Sequence, residues 1–298
     1  MKILVGILHS GEKEYEKCLE SINRQTRVDF DTYTISGKRN AEAHDLLYGH
    51  FMESSKDYGI MVKIDADMVI RVDNLFEMIR NEFLRTENMD RLFIPVLDHF
   101  VLENLGGINA YRNTVTWGKN TGLFFTDMVH HPHSIRDTVK WDVPIENSLV
   151  DHCPDPSPFQ SFHFGFHRTM KAFQPGSRIW HTRIKKKHWN SIRRMYQLGL
   201  EDHLLMENLH SAESESNRRP HLPRLYALAG SECALSGSYQ GEQISRTDPS
   251  VRAAFERIDH EIRKGAAIQD LTPHLQTALN RRPPMDYWYE FLRFRLTT

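Results

Sequence analysis

The stretch Gly59-Ile60-Met61-Val62-Lys63-Ile64-Asp65-Ala66-Asp67-Met68 decides how this chain is read. From Gly59 to Ile64 it is a continuous apolar run broken only by Lys63, the pattern of a strand buried on both faces, as in a parallel sheet. It ends in two carboxylates two residues apart. Ligands of open parallel sheets gather beyond the carboxyl ends of the strands, so Asp65 and Asp67 are expected where chemistry concentrates. In an extended segment residues i and i+2 project to one side, and two such carboxylates suit a hard divalent cation. The plain alternative is a strand ending in a solvated acidic turn.

Working outward, Lys2 to Leu8 reads as a first strand and Glu12 to Gln25 as an amphipathic helix, with Tyr15, Cys18, Leu19 and Ile22 on one face. Asp31 to Ser36 reads as a second strand ending at Gly37, and Ala41 to Met52 as a second helix. Beyond the acidic pair, Asp73 to Leu84 places Leu75, Phe76, Ile79 and Phe83 at helical spacing. Arg91 to Leu97 is then a strand whose Pro95 marks an edge or irregular position. Strands alternating with helices favour parallel pairing, which predicts an α/β fold with a mixed, mostly parallel sheet flanked by helices.

Residues 98 to 160 read as irregular, with an apolar stretch at Thr121 to Thr126 and a Pro-rich segment at Pro154 to Pro158. Phe159 to Phe173 reads as an aromatic helix and Arg178 to Thr182 as a short strand. Arg183 to Arg194 carries six Lys or Arg residues. Past residue 200 the sequence is helical and polar, with loop-like stretches at Ser211 to Pro220 and Gly230 to Gly241. The expected division is an α/β domain over 1–200 and a helical extension over 201–298.

Composition excludes some functions. No apolar run approaches the ~20 residues of a membrane-spanning helix, and a net charge of -1 argues against a surface devoted to nucleic acid. Cys18, Cys153 and Cys233 are too few and too far apart for a disulfide framework or a CxxC zinc pattern. These features, and the absence of a signal-peptide pattern, fit a reducing cytoplasm. The segment Arg281 to Arg295 mixes aromatic and basic residues. A terminal helix docked on the rest of the chain is the favoured reading. The other is a peripheral contact with the inner face of a membrane. Oligomeric state is open.

Three motifs occur together and in order. Ile3-Leu4-Val5-Gly6-Ile7-Leu8 leads into Ser21-Ile22-Asn23-Arg24-Gln25-Thr26, then comes Ala41-Glu42-Ala43-His44-Asp45, then Lys63-Ile64-Asp65-Ala66-Asp67. Over roughly residues 1 to 100 the chain resembles family 2 glycosyltransferases of the GT-A fold. The resemblance implies a metal-dependent transfer of sugar from a nucleotide-diphosphate sugar to a hydroxyl of a saccharide or lipid-linked saccharide, as in polysaccharide biosynthesis. It implies a donor seated against Leu8, His9, Ser36, Lys38, His44 and Asp65, with Arg183 and Lys185 covering the leaving diphosphate. Mn²⁺ or Mg²⁺ would be held by Asp65, Asp67 and a third ligand, His181. The family's acidic pair is replaced by Gln160-Ser161, which leaves Asp151 and Asp155 as candidate bases and His163 as a further acceptor. A nucleotidyltransferase using the same acidic pair, and a binding domain without catalysis, are the competing readings.

Overall fold

Apolar residues on both faces of the first and third strands dictate a sheet covered on both sides. In the computed structural model, which describes residues 1–119, 134–173, 179–209, 221–237, 246 and 248–280, that sheet is present. Side chains at 173, 179–184, 203–209 and 221 lie outside the description. The chain divides into two compact units, Met1–Pro156 and Ser157–Thr298. The division expected at residue 200 therefore falls earlier, with the aromatic helix and the basic segment in the second unit.

The first unit runs β1 (Ile3–His9), α1 (Tyr15–Asn23), β2 (Phe30–Ser36), α2 (Asn40–Glu53), β3 (Ile60–Asp65), β4 (Met68–Ile70), α3 (Leu75–Arg85), β5 (Arg91–Asp98), β6 (Glu103–Arg112), β7 (Thr138–Lys140) and β8 (Val150–His152). The sheet order is β2-β1-β3-β6-β5-β8-β4, with β7 beside β5. Strands β2, β1 and β3 pair in parallel, while β6 is antiparallel to both β3 and β5. The sheet is thus mixed.

Strand β6 escapes a reading of the sequence because Gly106-Gly107 interrupts its apolar pattern. Gly107 is needed there: a Cβ would meet Val96 Cγ1 at 2.2 Å. The irregularity expected at Pro95 is a register shift between Ile94 and Val96, in an interior strand rather than at an edge. A bulge lets proline occupy an interior strand without removing a ladder bond.

Ile3, Val5, Ile7, Ile60, Val62 and Ile64 pack with Ile22 of α1 and Phe76, Ile79 and Phe83 of α3. On the opposite face Leu4 and Met61 pack with Leu47, Tyr48 and Phe51 of α2 and with Tyr111 and Trp117. The Ser-Ile-x-x-Gln-Thr segment has a clear structural task. The Ser21 hydroxyl accepts from the Ile70 amide at 3.1 Å. Gln25 donates to the Val72 carbonyl at 2.6 Å, and its side-chain oxygen accepts from the Phe76 amide at 3.2 Å. The Thr26 amide donates to the Asp73 carbonyl at 2.8 Å. Together they anchor the chain leaving the acidic pair, and Gln25 satisfies an amide in the first turn of α3 that no intrahelical carbonyl can reach.

The second unit contains α4 (Pro158–Phe173), α5 (Ile179–Leu209), α6 (His221–Ser236), α7 (Pro249–Arg263), α8 (Ile268–Leu271) and α9 (Pro273–Asn280). Two expectations are corrected here. Residues 179–182 begin the long helix α5 rather than forming a strand, because Trp189, Ile192, Met195 and Tyr196 continue a buried stripe at helical spacing. Gly230 to Ser236 is helix rather than loop, and Gly230 serves close approach: a Cβ there would lie 1.9 Å from the Phe162 carbonyl oxygen of α4. No helix among the described residues is long and apolar enough to cross a membrane.

Candidate functional site

The carboxyl ends of the three parallel strands form one edge, since His9 is in register with Ser36 and Leu8 with Asp65. His9 stacks on Tyr15 with ring centres 3.9 Å apart, and its Nδ1 is 3.4 Å from the Ser36 hydroxyl oxygen. The Glu12 carboxylate accepts from the Ser10 amide at 2.6 Å and hydroxyl at 2.7 Å, folding the β1–α1 connection onto itself. Gly11 and Gly37 adopt φ of 95° and 67°, which lets both connections turn sharply beside this edge. Lys38 is exposed and pairs with Glu42 at 2.7 Å. His44 is buried, with Nδ1 2.8 Å from the Asn40 carbonyl oxygen of its own helix.

Asp65 ends β3, and Ala66 and Asp67 form a tight turn before β4. The acidic pair is therefore not the extended segment expected, and the same-side geometry of an extended chain does not govern it. The two carboxylates have different partners. The Lys63 ammonium, only 4% exposed, donates to Asp65 at 3.1–3.2 Å, while the Asp65 side chain is 37% exposed. Asp67 is nearly buried. Its Oδ2 accepts from the Cys153 thiol at 3.3 Å and lies 3.6 Å from His152 Nε2.

Strand β8 creates this second environment by pairing with β4 on one side and β5 on the other. His152 thereby stands opposite both Met68 and Asp98. The fully buried Asp98 accepts from the Phe100 and Val101 amides at 2.9 and 3.1 Å through Oδ1, and from His152 Nδ1 at 2.9 Å through Oδ2. Cys153 has φ of 54° and donates its amide to the Asp67 carbonyl at 2.8 Å. A positive φ in a non-glycine residue costs on the order of 1–3 kcal/mol and persists only where its surroundings impose it. Burial and nearby Asp67 push the Cys153 thiol well above its ordinary pKa.

The candidate bases are engaged by cations. Asp151 is bonded through both oxygens to the Arg71 guanidinium and lies 2.7 Å from His99 Nε2. Burial raises its pKa, but the bonds from His99 and Arg71 outweigh that and hold it below the ordinary carboxylate value. Asp155 pairs with Lys13 at 2.8 Å and Lys17 at 3.3 Å, and the Lys13 bond, against partial burial, lowers its pKa as well. Both residues keep their charge strongly, which weakens them as proton acceptors.

The other sequence-derived residues belong to the second unit. The side chains of His181 and Arg183 lie outside the described residues. Lys185 is buried on α5, so it is not part of a flexible basic cover. Gln160, Ser161 and His163 are buried on α4, with the Ser161 hydroxyl donating to the Ser157 carbonyl at 2.9 Å. The sequence reading missed Asp98, His152 and Cys153. Their one signal is the adjacent pair His152-Cys153 before the Pro-rich loop, and nothing in a linear reading ties it to Asp67.

No family model matches the chain, and no curated protein matches it. Among solved structures it is similar to one titled "Crystal Structure of A197 from STIV", at 21% identity and a TM-score of 0.25. The match covers 33% of this chain and 47% of the other, so the chain spans about half that protein's length. A likeness this slight supports no statement about fold or function.

Proposed function

We propose that the chain is a metal-dependent glycosyltransferase of GT-A type that binds a nucleotide-diphosphate sugar at the carboxyl edge of β2, β1 and β3. One observation carries the reading: Asp65 ends β3 in register with Leu8 of β1, and Asp67 follows, at the carboxyl edge that β1 shares with β2 through His9 and Ser36, the place where open α/β sheets bind nucleotides. The order of motifs resembling family 2 glycosyltransferases adds support.

Asp65 and Asp67 would hold Mn²⁺ or Mg²⁺, which when bound neutralises the leaving diphosphate. The carboxylates supply the oxygen donors such cations prefer. Lys63 holds the Asp65 carboxylate, and the Gln25 and Thr26 bonds anchor the chain that follows Asp67. Leu8, His9 and Ser36 line the donor edge. Saccharide or lipid-linked saccharide hydroxyls are the acceptor class. Full-length protein titrated with UDP, GDP and their sugars in Mn²⁺ should bind one donor, lose binding in chelator, and lose transfer in Asp67→Ala. If no donor binds with any divalent cation, the reading fails.

The engagement of Asp151 and Asp155 by cations favours one second reading, a domain that binds nucleotide sugar or glycan without transfer. Donor binding with no turnover across acceptors would select it.

A further inference from the structure

Asp98, His152 and Cys153 have no role in the proposed donor edge, yet they form a connected polar group beside Asp67. Asp98 accepts every hydrogen bond it makes to Phe100, Val101 and His152, so the proton on the imidazole between them sits on Nδ1. Nε2 faces Asp67 Oδ2, 3.6 Å away, a spacing that suits a cation shared between imidazole and carboxylate. The Cys153 sulfur completes a triangle, 3.3 Å from Asp67 Oδ2 and 3.8 Å from Nε2.

Those three edges have a specific size. Zinc bonds of about 2.0 Å to oxygen, 2.0–2.1 Å to nitrogen and 2.3 Å to sulfur, set at tetrahedral angles, require ligand–ligand separations of roughly 3.3–3.6 Å. The observed edges of 3.3, 3.6 and 3.8 Å match one face of such a tetrahedron to within a few tenths of an ångström. Asp98 occupies the position of the carboxylate that orients a ligating histidine through its second nitrogen. The left-handed backbone at Cys153 holds the residue at this turn.

We infer that Asp67, His152 and Cys153 form a site for a zinc-class transition-metal ion, with Asp98 as positioning residue and a fourth coordination position left for water or an exogenous group. The metal displaces the proton shared between Cys153 and Asp67, releasing it to solvent. Thiolate and imidazole select zinc, cobalt or copper over magnesium. This goes beyond the transferase reading, because binding needs neither nucleotide nor Asp65.

The test is titration of metal-free, full-length protein with Co²⁺ and Zn²⁺ without nucleotide, followed by calorimetry and by the absorption spectrum of the cobalt form. One ion should bind per chain, the cobalt spectrum should show tetrahedral ligand-field bands and a thiolate charge-transfer band, and zinc should displace cobalt. Cys153→Ser should lose the charge-transfer band. His152→Ala should lose more affinity than Asp98→Asn, for which a loss of about 10–100-fold is expected. Far-ultraviolet circular dichroism of each variant identifies any that fails to fold, and Cys153→Ser, nearly isosteric, keeps the test open in that event. Absence of binding, or a cobalt spectrum unchanged in Cys153→Ser, overturns the inference and leaves a proton as the cation. Metal binding by a chain that takes no nucleotide sugar would sink the transferase reading alone. Nucleotide binding in Mn²⁺ by a chain that ignores Co²⁺ would sink this one alone.

Discussion

Gly6→Ala should loosen the layer that carries the carboxyl edge of β2, β1 and β3, although the new group is one methyl. Gly6 lies in β1 between Tyr33 of β2 and Lys63 of β3, and faces Leu47 of α2. A Cβ at Gly6 would stand 2.3 Å from Leu47 Cδ1 and 2.7 Å from Cδ2, against the 3.5–4.0 Å of a normal carbon contact. The gap must widen by more than an ångström. Leu47 is fully buried in a cluster with Leu4, Ala43 and Phe51, so its side chain must shift against packed neighbours.

Overpacking of this kind costs about 1–3 kcal/mol, and the gain from replacing a strand glycine returns roughly 0.5–1 kcal/mol. A net loss of about 1–2 kcal/mol is expected, measured as a lowered midpoint in scanning calorimetry. Leu47→Ala alone should cost about 2–5 kcal/mol by opening a cavity. In that background the added methyl enters the cavity, and Gly6→Ala should become neutral or stabilising, a coupling of about 1–2 kcal/mol. A penalty that persists unchanged in the Leu47→Ala background would refute the reasoning, because the three atoms nearest the added Cβ all belong to that side chain.

Three further outcomes follow from buried groups. Gly230→Ala, whose Cβ would meet the backbone carbonyl of Phe162 at 1.9 Å, should destabilise the second unit more than Gly6→Ala does the first, since a helix rather than a side chain must move; proteolysis of residues 157–298 would reveal it. Thiol labelling of native protein should modify half-buried Cys233 quickly and leave Cys18 and Cys153 untouched until unfolding, because burial pushes Cys18 up to about 12 and Cys153 well above its ordinary range; rapid labelling of three thiols would contradict this. Asp90 is buried, which raises its pKa, but the side-chain and backbone donors of Arg136 hold it below the ordinary value. Its folded pKa is depressed, so its stabilisation is complete above the unfolded value of about 3.9 and is lost as pH falls through the lower folded value. Urea midpoints measured from pH 6 downward should therefore fall less steeply below about pH 4 in Asp90→Asn than in the parent chain; parallel curves would show that Asp90 contributes nothing to acid unfolding.

Much of the first unit was legible because its signals are local. The apolar run to Ile64, the helical spacing of Leu75, Phe76, Ile79 and Phe83, and the glycine after Ser36 each report on neighbours within about two turns. Strand β6 was not legible. Glu103-Asn104-Leu105-Gly106-Gly107 lacks alternation, and becomes a strand because β5 pairs along it, while β3 pairs with residues 109–112 that follow. Residues 179–182 failed in the opposite direction: a short β-prone stretch was absorbed by a helix that carries Trp189, Ile192, Met195 and Tyr196 buried at helical spacing. Asp151 and Asp155 were found as carboxylates in the right loop, but their partners Arg71, His99, Lys13 and Lys17 come from distant positions. Charge state depends on those neighbours.

By itself the sequence determined an α/β chain with Asp65 and Asp67 at the end of a buried parallel strand, because strand periodicity and breaker residues act over a few residues. Only the tertiary structure decided the company these carboxylates keep. It set Asp65 on the buried Lys63 and Asp67 beside Cys153 and His152, with Asp98 behind the histidine. The reason is topological: β8 enters the sheet between β4 and β5, and strand pairing, which ignores sequence distance, brings together groups that a linear reading holds 85 residues apart.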